Sequence, residues 1–213
     1  SQAISAGTAP EGKLTEDAFE VLLAWKELLG REKLSADVTL SVDCGPVVVN
    51  DTLEYDRLLS DGESLGAVRK GSVALYFSGD RFCDATGHAV SAGSKSLLDA
   101  SRLMDLVYEL ILNGTVSCQT NGKPQVATLS LDEDGMSSLA QTIAPNIQGQ
   151  DVRFTDGSIV LTLKDGVLQT IRISCAGSVH IVLADADVSV RCEIAAADRD
   201  VTFPQTVLDA LKK

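Results

Sequence analysis

Residues 37–44, DVTLSVDC, alternate without a break: Val38, Leu40, Val42 and Cys44 point to one side of an extended chain, and Asp37, Thr39, Ser41 and Asp43 to the other. Near the other end DVSVRCEI repeats the pattern, with Val188, Val190, Cys192 and Ile194 set against Asp187, Ser189, Arg191 and Glu193. Between them VVVNDTLEYDRLL, GSVALYF, RFCDAT and QVATLSL predict further short strands, punctuated by turn signals at Asp61-Gly62, Ser78-Gly79, Asn121-Gly122 and Asp156-Gly157. Strands joined by tight turns are antiparallel. Alternation against a charged partner face predicts a sheet that is wet on one side and covered on the other.

The stretch IVLTLKDGVLQTIRISC, Ile159 to Cys175, reads as a hairpin about Lys164-Asp165-Gly166. A two-residue Asp-Gly loop would pair Leu163 with Leu168 and split the apolar set between the faces. A three-residue loop with Gly166 in the left-handed conformation pairs Leu163 with Val167. Ile159, Leu161, Leu163, Ile171, Ile173 and Cys175 then share one face, and this register is expected.

The cover must come from helices. From Leu14 to Gly30 apolar residues recur at Ala18, Leu22, Trp25 and Leu29, with Thr15 as N-cap and Glu16 and Asp17 in the first turn. Ser96 to Asn113 carries a capping box at Ser96 and Asp99 and a stop at Asn113-Gly114. Its polar residues Asp99, Arg102, Asp105 and Glu109 form one narrow stripe, so a helix sunk into a concave sheet is expected. Gly135 to Ala144 predicts a shorter helix presenting Met136, Leu139, Ala140 and Ile143, and FPQTVLDALKK a last one. The fold expected is therefore α+β: a single curved antiparallel sheet, a half-open barrel, with helices on its concave face. Residues 1–13 read as a flexible tether and 14–213 as one domain, the Ser96 helix separating two halves of one sheet.

Composition sharpens this in three ways. A chain of 213 residues buries enough surface for a real core, and with only 4% aromatic residues that core must be mainly Val, Leu and Ile. Thirty acidic against eighteen basic residues leave a net charge of −12 with no Lys/Arg run, which argues against nucleic acid and anionic membranes as partners. The charges within Leu97 to Leu112 break the most apolar stretch, so no transmembrane segment is expected. The opening SQAISAGTAPEGK has neither Met nor an apolar leader and suits either a trimmed chain or a mature exported one.

Catalytic chemistry finds no foothold. His88 and His180 are isolated from other ligands at metal spacing, and no P-loop, G-x-S-x-G, S-x-x-K or G-x-G-x-x-G occurs. SLDEDGMSSLAQ places Asp132, Asp134 and Gly135 as in a calcium loop, but Ser130 and Gln141 fail at its ends. An acidic turn capping the helix that follows is the expected reading. Two N-x-T tripeptides, at Asn50 and Asn113, are short enough to arise by chance. Five scattered cysteines, Cys44, Cys83, Cys118, Cys175 and Cys192, leave at least one without an intrachain partner. They read mainly as buried thiols on strand faces, with one or two disulfides as the alternative. No enzyme, cofactor or metal is expected.

The order of elements carries a resemblance. A helix, then SADVTLSVDCG, LEYDRLLSDGESL, GSVALYFSGDRFCDATG, a long apolar helix, LKDGVLQTIRIS and a terminal strand running into VTFP resembles the lipoprotein-carrier-like superfamily, meaning the LolA and LppX/LprG type proteins and related Firmicutes surface lipoproteins. That resemblance implies a half-open barrel whose concave face holds a lipid or another apolar molecule. It also implies an extracytoplasmic place, lipid-anchored at the cell surface in the full-length precursor, although no lipobox cysteine is present here. The expected lining is Leu40, Val42, Leu75, Phe77, Leu161, Leu163 and Ile173 from the sheet, opposite Met104, Val107 and Ile111 from the long helix. The alternative is a structural or protein-interaction domain of the same fold with a filled core and no ligand.

Overall fold

The computed structural model describes residues 16–90, 106, 109–110, 116–120, 126–143 and 151–212. Among these, ten strands form one curved antiparallel sheet. They are β1 (Lys33–Cys44), β2 (Val47–Ser60), β3 (Glu63–Lys70), β4 (Val73–Ser78), β5 (Arg81–Cys83), β6 (Val116–Thr120), β7 (Val126–Leu131), β8 (Val152–Lys164), β9 (Val167–Ile181) and β10 (Ala184–Ala196). Their spatial order is β5-β4-β3-β2-β1-β10-β9-β8-β7-β6. Each half is thus a meander, and the halves are joined where the two alternating segments pair: Val38 opposes Ile194, Leu40 opposes Cys192 and Val42 opposes Val190. The Ser96 to Asn113 helix lies outside the described residues except for Leu106, Glu109 and Leu110, of which Leu106 and Leu110 pack against the main core.

Two of the helices among the described residues cover the inner face of this sheet. Helix α1 (Glu16–Leu29) buries Phe19, Leu22, Trp25 and Leu28, the spacing of one helical stripe, against the strands. It stops at Gly30, and Arg57 on β2 reaches across to donate from Nη2 to the carbonyls of Leu29 (2.6 Å) and Arg31 (3.2 Å). A cation on the last carbonyls of a helix satisfies orphan acceptors and complements the dipole. Helix α2 (Glu133–Ile143) starts two residues earlier than the apolar pattern predicts, because Asp132 Oδ1 accepts the Gly135 N–H at 2.7 Å and caps it. The acidic turn is a helix cap.

Helix α3 (Gln205–Leu211) takes the other face. Leu65, Gly66, Ala67 and Val68 are all buried, so β3 is covered on both sides, and Val207 and Leu211 pack with Leu65, Ala67, Tyr76 and Cys83. An uninterrupted apolar run marks a strand buried twice, whereas alternation marks one buried once. The chain reaches α3 by crossing the outer face from β10. On the way Arg199 Nη2 donates to the Ala36 carbonyl (2.8 Å) and to Asp56 Oδ1 (3.3 Å), while its Nη1 meets Asp37. Asp56 is 1% exposed on that face and also binds Arg69, so a buried carboxylate is held between two guanidiniums. Phe203 then meets Tyr76 edge-on at 5.6 Å.

Two expectations about turns are corrected. The β8–β9 loop is the two-residue Asp165-Gly166 turn, both at positive φ (51° and 76°), with Lys164 opposite Val167 and Leu163 opposite Leu168. Parity is recovered one residue later by a bulge: Thr162 opposes Thr170, so Gln169 is left over, and Ile159, Leu161, Leu163, Ile171 and Ile173 are all buried together. The apolar set shares one face as expected, by a different device. Asp156-Gly157 is no turn; it lies within β8 beside a second bulge between Phe154 and Asp156, and glycine is needed because a Cβ would come within 2.5 Å of Met136 Cγ on α2. No helix among the described residues is long and apolar enough to cross a membrane.

These contacts predict a ranking of glycine substitutions. Gly166→Ala, whose Cβ meets no neighbour but whose φ is +76°, should lose about 1 kcal/mol in urea unfolding. Gly177→Ala, whose Cβ would sit 1.9 Å from the Arg153 carbonyl oxygen, should lose on the order of 2–3 kcal/mol; the reverse ranking would refute the close approach of β8 and β9. Arg199→Ala leaves the buried Asp56 with Arg69 alone and frees the Ala36 carbonyl. It should cost about 3 kcal/mol in the same measurement.

Candidate functional site

The register lays the inner face out in rows. Leu40, Cys192, Ile173, Ile159 and Leu129 stand side by side across β1, β10, β9, β8 and β7, and the next row is Val38, Ile194, Ile171, Leu161 and Ala127. Directly opposed side chains on one face of an antiparallel sheet lie about 4.5–5.5 Å apart, so each row is a continuous apolar ridge. All of these but Leu40 are buried, beneath Leu22 and Trp25 of α1 and Met136, Leu139 and Ile143 of α2.

The seven sheet residues singled out from the sequence all have inner-face parity. Val42, Leu161, Leu163 and Ile173 belong to the main core, with Leu40 half-buried against it. Leu75 is buried opposite Val68, and Phe77 lies at the margin, its ring over Gly66, where a Cβ would come within 2.4 Å of it. Met104, Val107 and Ile111 lie outside the described residues. Leu161 and Ile173 expose no surface, so neither borders a water-sized void. At the C-terminal end of α1 a cavity of about 10 Å³ opens between Leu28, Leu34, Gln169, Ile171 and Ile194, room for about one water.

Trp25 was read from the sequence only as one apolar position of a helix. It is fully buried, and its indole N–H has no hydrogen-bond partner among the described residues. Its status as the single tryptophan of the chain was the available signal, since a buried indole needs an acceptor as well as room.

The electrostatics of this face are those of a hydrocarbon layer. Burial pushes the Cys175 thiol up to about 11, with the Asp156 carboxylate adding to the effect, and burial together with Glu193 pushes Cys192 up to about 12. Cys44, Cys83, Cys175 and Cys192 are free thiols. Among the described residues no three His, Cys, Asp or Glu side chains are grouped as metal ligands. What such a surface offers chemically is shape and apolar contact, each aliphatic side chain buried contributing about 1.5–3 kcal/mol.

Comparison with known proteins gives little. No family model matches the chain, and no curated protein does. Among solved structures the chain is similar to LprF from Mycobacterium bovis, with a TM-score of 0.46 and 13% identity over 92% of this chain and 99% of that one.

The thiols supply a direct check on the packing. A thiol of pKa about 11 has on the order of a thousandth of its population as thiolate at pH 8, and burial blocks access besides. Titration with a disulfide reagent at that pH should leave Cys175 and Cys192 unreacted in the native protein. In denaturant without reductant at least the four described thiols should react, and fewer would overturn the free-thiol assignment.

Proposed function

We propose that the protein is a non-catalytic module of the cell envelope that holds a lipid or another apolar molecule between the inner face of the sheet and its helices, lined by the sheet and helix residues named from the sequence. The observation that carries this reading is Trp25. An indole N–H buried with no acceptor among the described residues costs about 1–3 kcal/mol unless a bound group accepts from it. A carbonyl or ether oxygen of an otherwise apolar ligand lying against α1 would satisfy the donor. Entry requires the helical layer to lift, since Leu161 and Ile173 are fully covered. The resemblance to LolA and LppX/LprG proteins supports a place outside the cytoplasm and a lipid anchor in the precursor.

A second reading is a structural or interaction domain with a filled core, favoured by the same complete burial. The single tryptophan separates the two. Native mass spectrometry of gently purified protein should show a bound mass that organic extraction removes. Adding the extract back should then move the one indole ¹⁵N–¹H resonance downfield and slow its exchange. Protein that carries no extractable lipid, takes up no fluorescent lipid and keeps its indole resonance unmoved would leave the filled-core reading standing.

A further inference from the structure

The two ends of the sheet are built from different turns. At one end the strands turn at Asp61-Gly62, Gly79-Asp80 and Asp165-Gly166, and the positive φ values these turns need fall on Asp and Gly. At the other end the turns are Gly45-Pro46, Gly71-Ser72 and Val182-Leu183. The exposed large apolar residues collect there: Val47 to Val49 on β2, Val73 on β4 and Ile181 to Leu183 at the β9–β10 tip. Val126 alone, among the described residues, lies toward the opposite end.

The β9–β10 tip is the most pronounced case. Val182 is 85% and Leu183 92% exposed, and Leu183 N–H donates to the Ile181 carbonyl at 2.6 Å, closing a tight turn on Val182 at φ +54°. A β-branched residue at positive φ is strained, where Asn or Gly would be free of strain. The fold holds two large apolar side chains in water at a position that favours small polar ones. The β1–β2 tip adjoins it: Gly45 N–H donates to the Asp187 carbonyl at 3.4 Å, and a Cβ at Gly45 would touch Ile181. Val47, Val49 and Ile181 keep inner-face parity, so the exposed patch continues the apolar rows past the edge of the helical cover.

We propose that this end of the sheet docks on an uncharged lipid surface, with the Val182-Leu183 tip and the Val47 to Val49 segment entering the apolar layer. Two observations choose this occupant. The exposed apolar side chains are divided among the β1–β2, β3–β4 and β9–β10 hairpin tips. Separate projecting side chains suit a soft apolar phase, which needs no fitted surface. Its surroundings are acidic: Asp43, Asp185 and Asp187 flank the tips, and the nearby cations Lys70 and Arg153 are each paired, with Asp51 and Glu133. Anionic headgroups would be repelled, while phosphatidylcholine carries no net charge to repel.

Co-sedimentation of the full chain with vesicles tests the proposal. The wild-type protein should bind phosphatidylcholine vesicles. Replacing about a third of the lipid with phosphatidylglycerol should weaken binding several-fold, with recovery as salt is raised. The double variant V182N/L183G should bind at least about tenfold more weakly while melting at or above the wild-type temperature, because Asn-Gly relieves the turn. V48S, outside any turn, should weaken binding without touching the fold. The proposal is overturned if the wild type does not bind phosphatidylcholine, if both variants bind as well as it does, or if binding rises with anionic lipid. A wild-type dimer in solution that V182N/L183G abolishes would assign the patch to a second copy and equally overturn it.

Discussion

The pairing of β1 with β10 is the constraint on which the rest of the molecule hangs. Each half of the chain is a meander built from local hairpins. Ala36 opposite Ala196 and Cys44 opposite Val188 close a seam between residues far apart in sequence and make one surface of ten strands. Closing such a loop carries an entropic penalty before any contact offsets it. What offsets it here is that Val38, Val42, Val188, Val190, Cys192 and Ile194 meet on the same side, so the seam is itself the centre of the core. Helix α1 can then lie over strands from both halves.

The outer face is held by other means. Chain leaving β10 at the centre of the sheet runs back over β1 and β2. Arg199 fixes its course through Asp56, Asp37 and the Ala36 carbonyl, with Ser35 Oγ donating to the Ala197 carbonyl at 2.7 Å. A buried carboxylate is tolerable here because two guanidiniums meet it. The crossing delivers α3 to β3, β4 and β5, whose outer face is apolar where that of β1 and β10 is charged. The sheet is therefore one-sided in its middle and two-sided near one edge.

This division bears on function. The inner face is broad, aliphatic and closed by helices that hold it through side-chain packing, with Arg57 as the polar tie at the end of α1. Within that layer the indole nitrogen of Trp25 is buried with no hydrogen-bond partner among the described residues. Apolar turns at one end and Asp-Gly turns at the other give the molecule a direction along its strands.

Much of this was legible in the sequence because it rests on local periodicity. Period-two alternation marked β1 and β10 as half-buried, and the i, i+3, i+4 spacing marked the buried faces of α1 and α2. Ile159, Leu161, Ile171 and Ile173 share one surface as apolar parity predicts, though not through the three-residue loop expected to put them there. Three things depended on tertiary contact. The bulge at Gln169 was chosen by the need to keep that parity around an Asp-Gly turn, and Asp156-Gly157 became strand because Met136 required a residue without a Cβ. The position of α3 on the far face followed from Leu65 and Ala67 needing cover, a demand visible only once β3 has neighbours on both sides. The burial of the Trp25 N–H without an acceptor likewise belongs to packing. Periodicity says which side of an element is apolar, but only the assembled layers decide whether a polar atom on that side meets a partner.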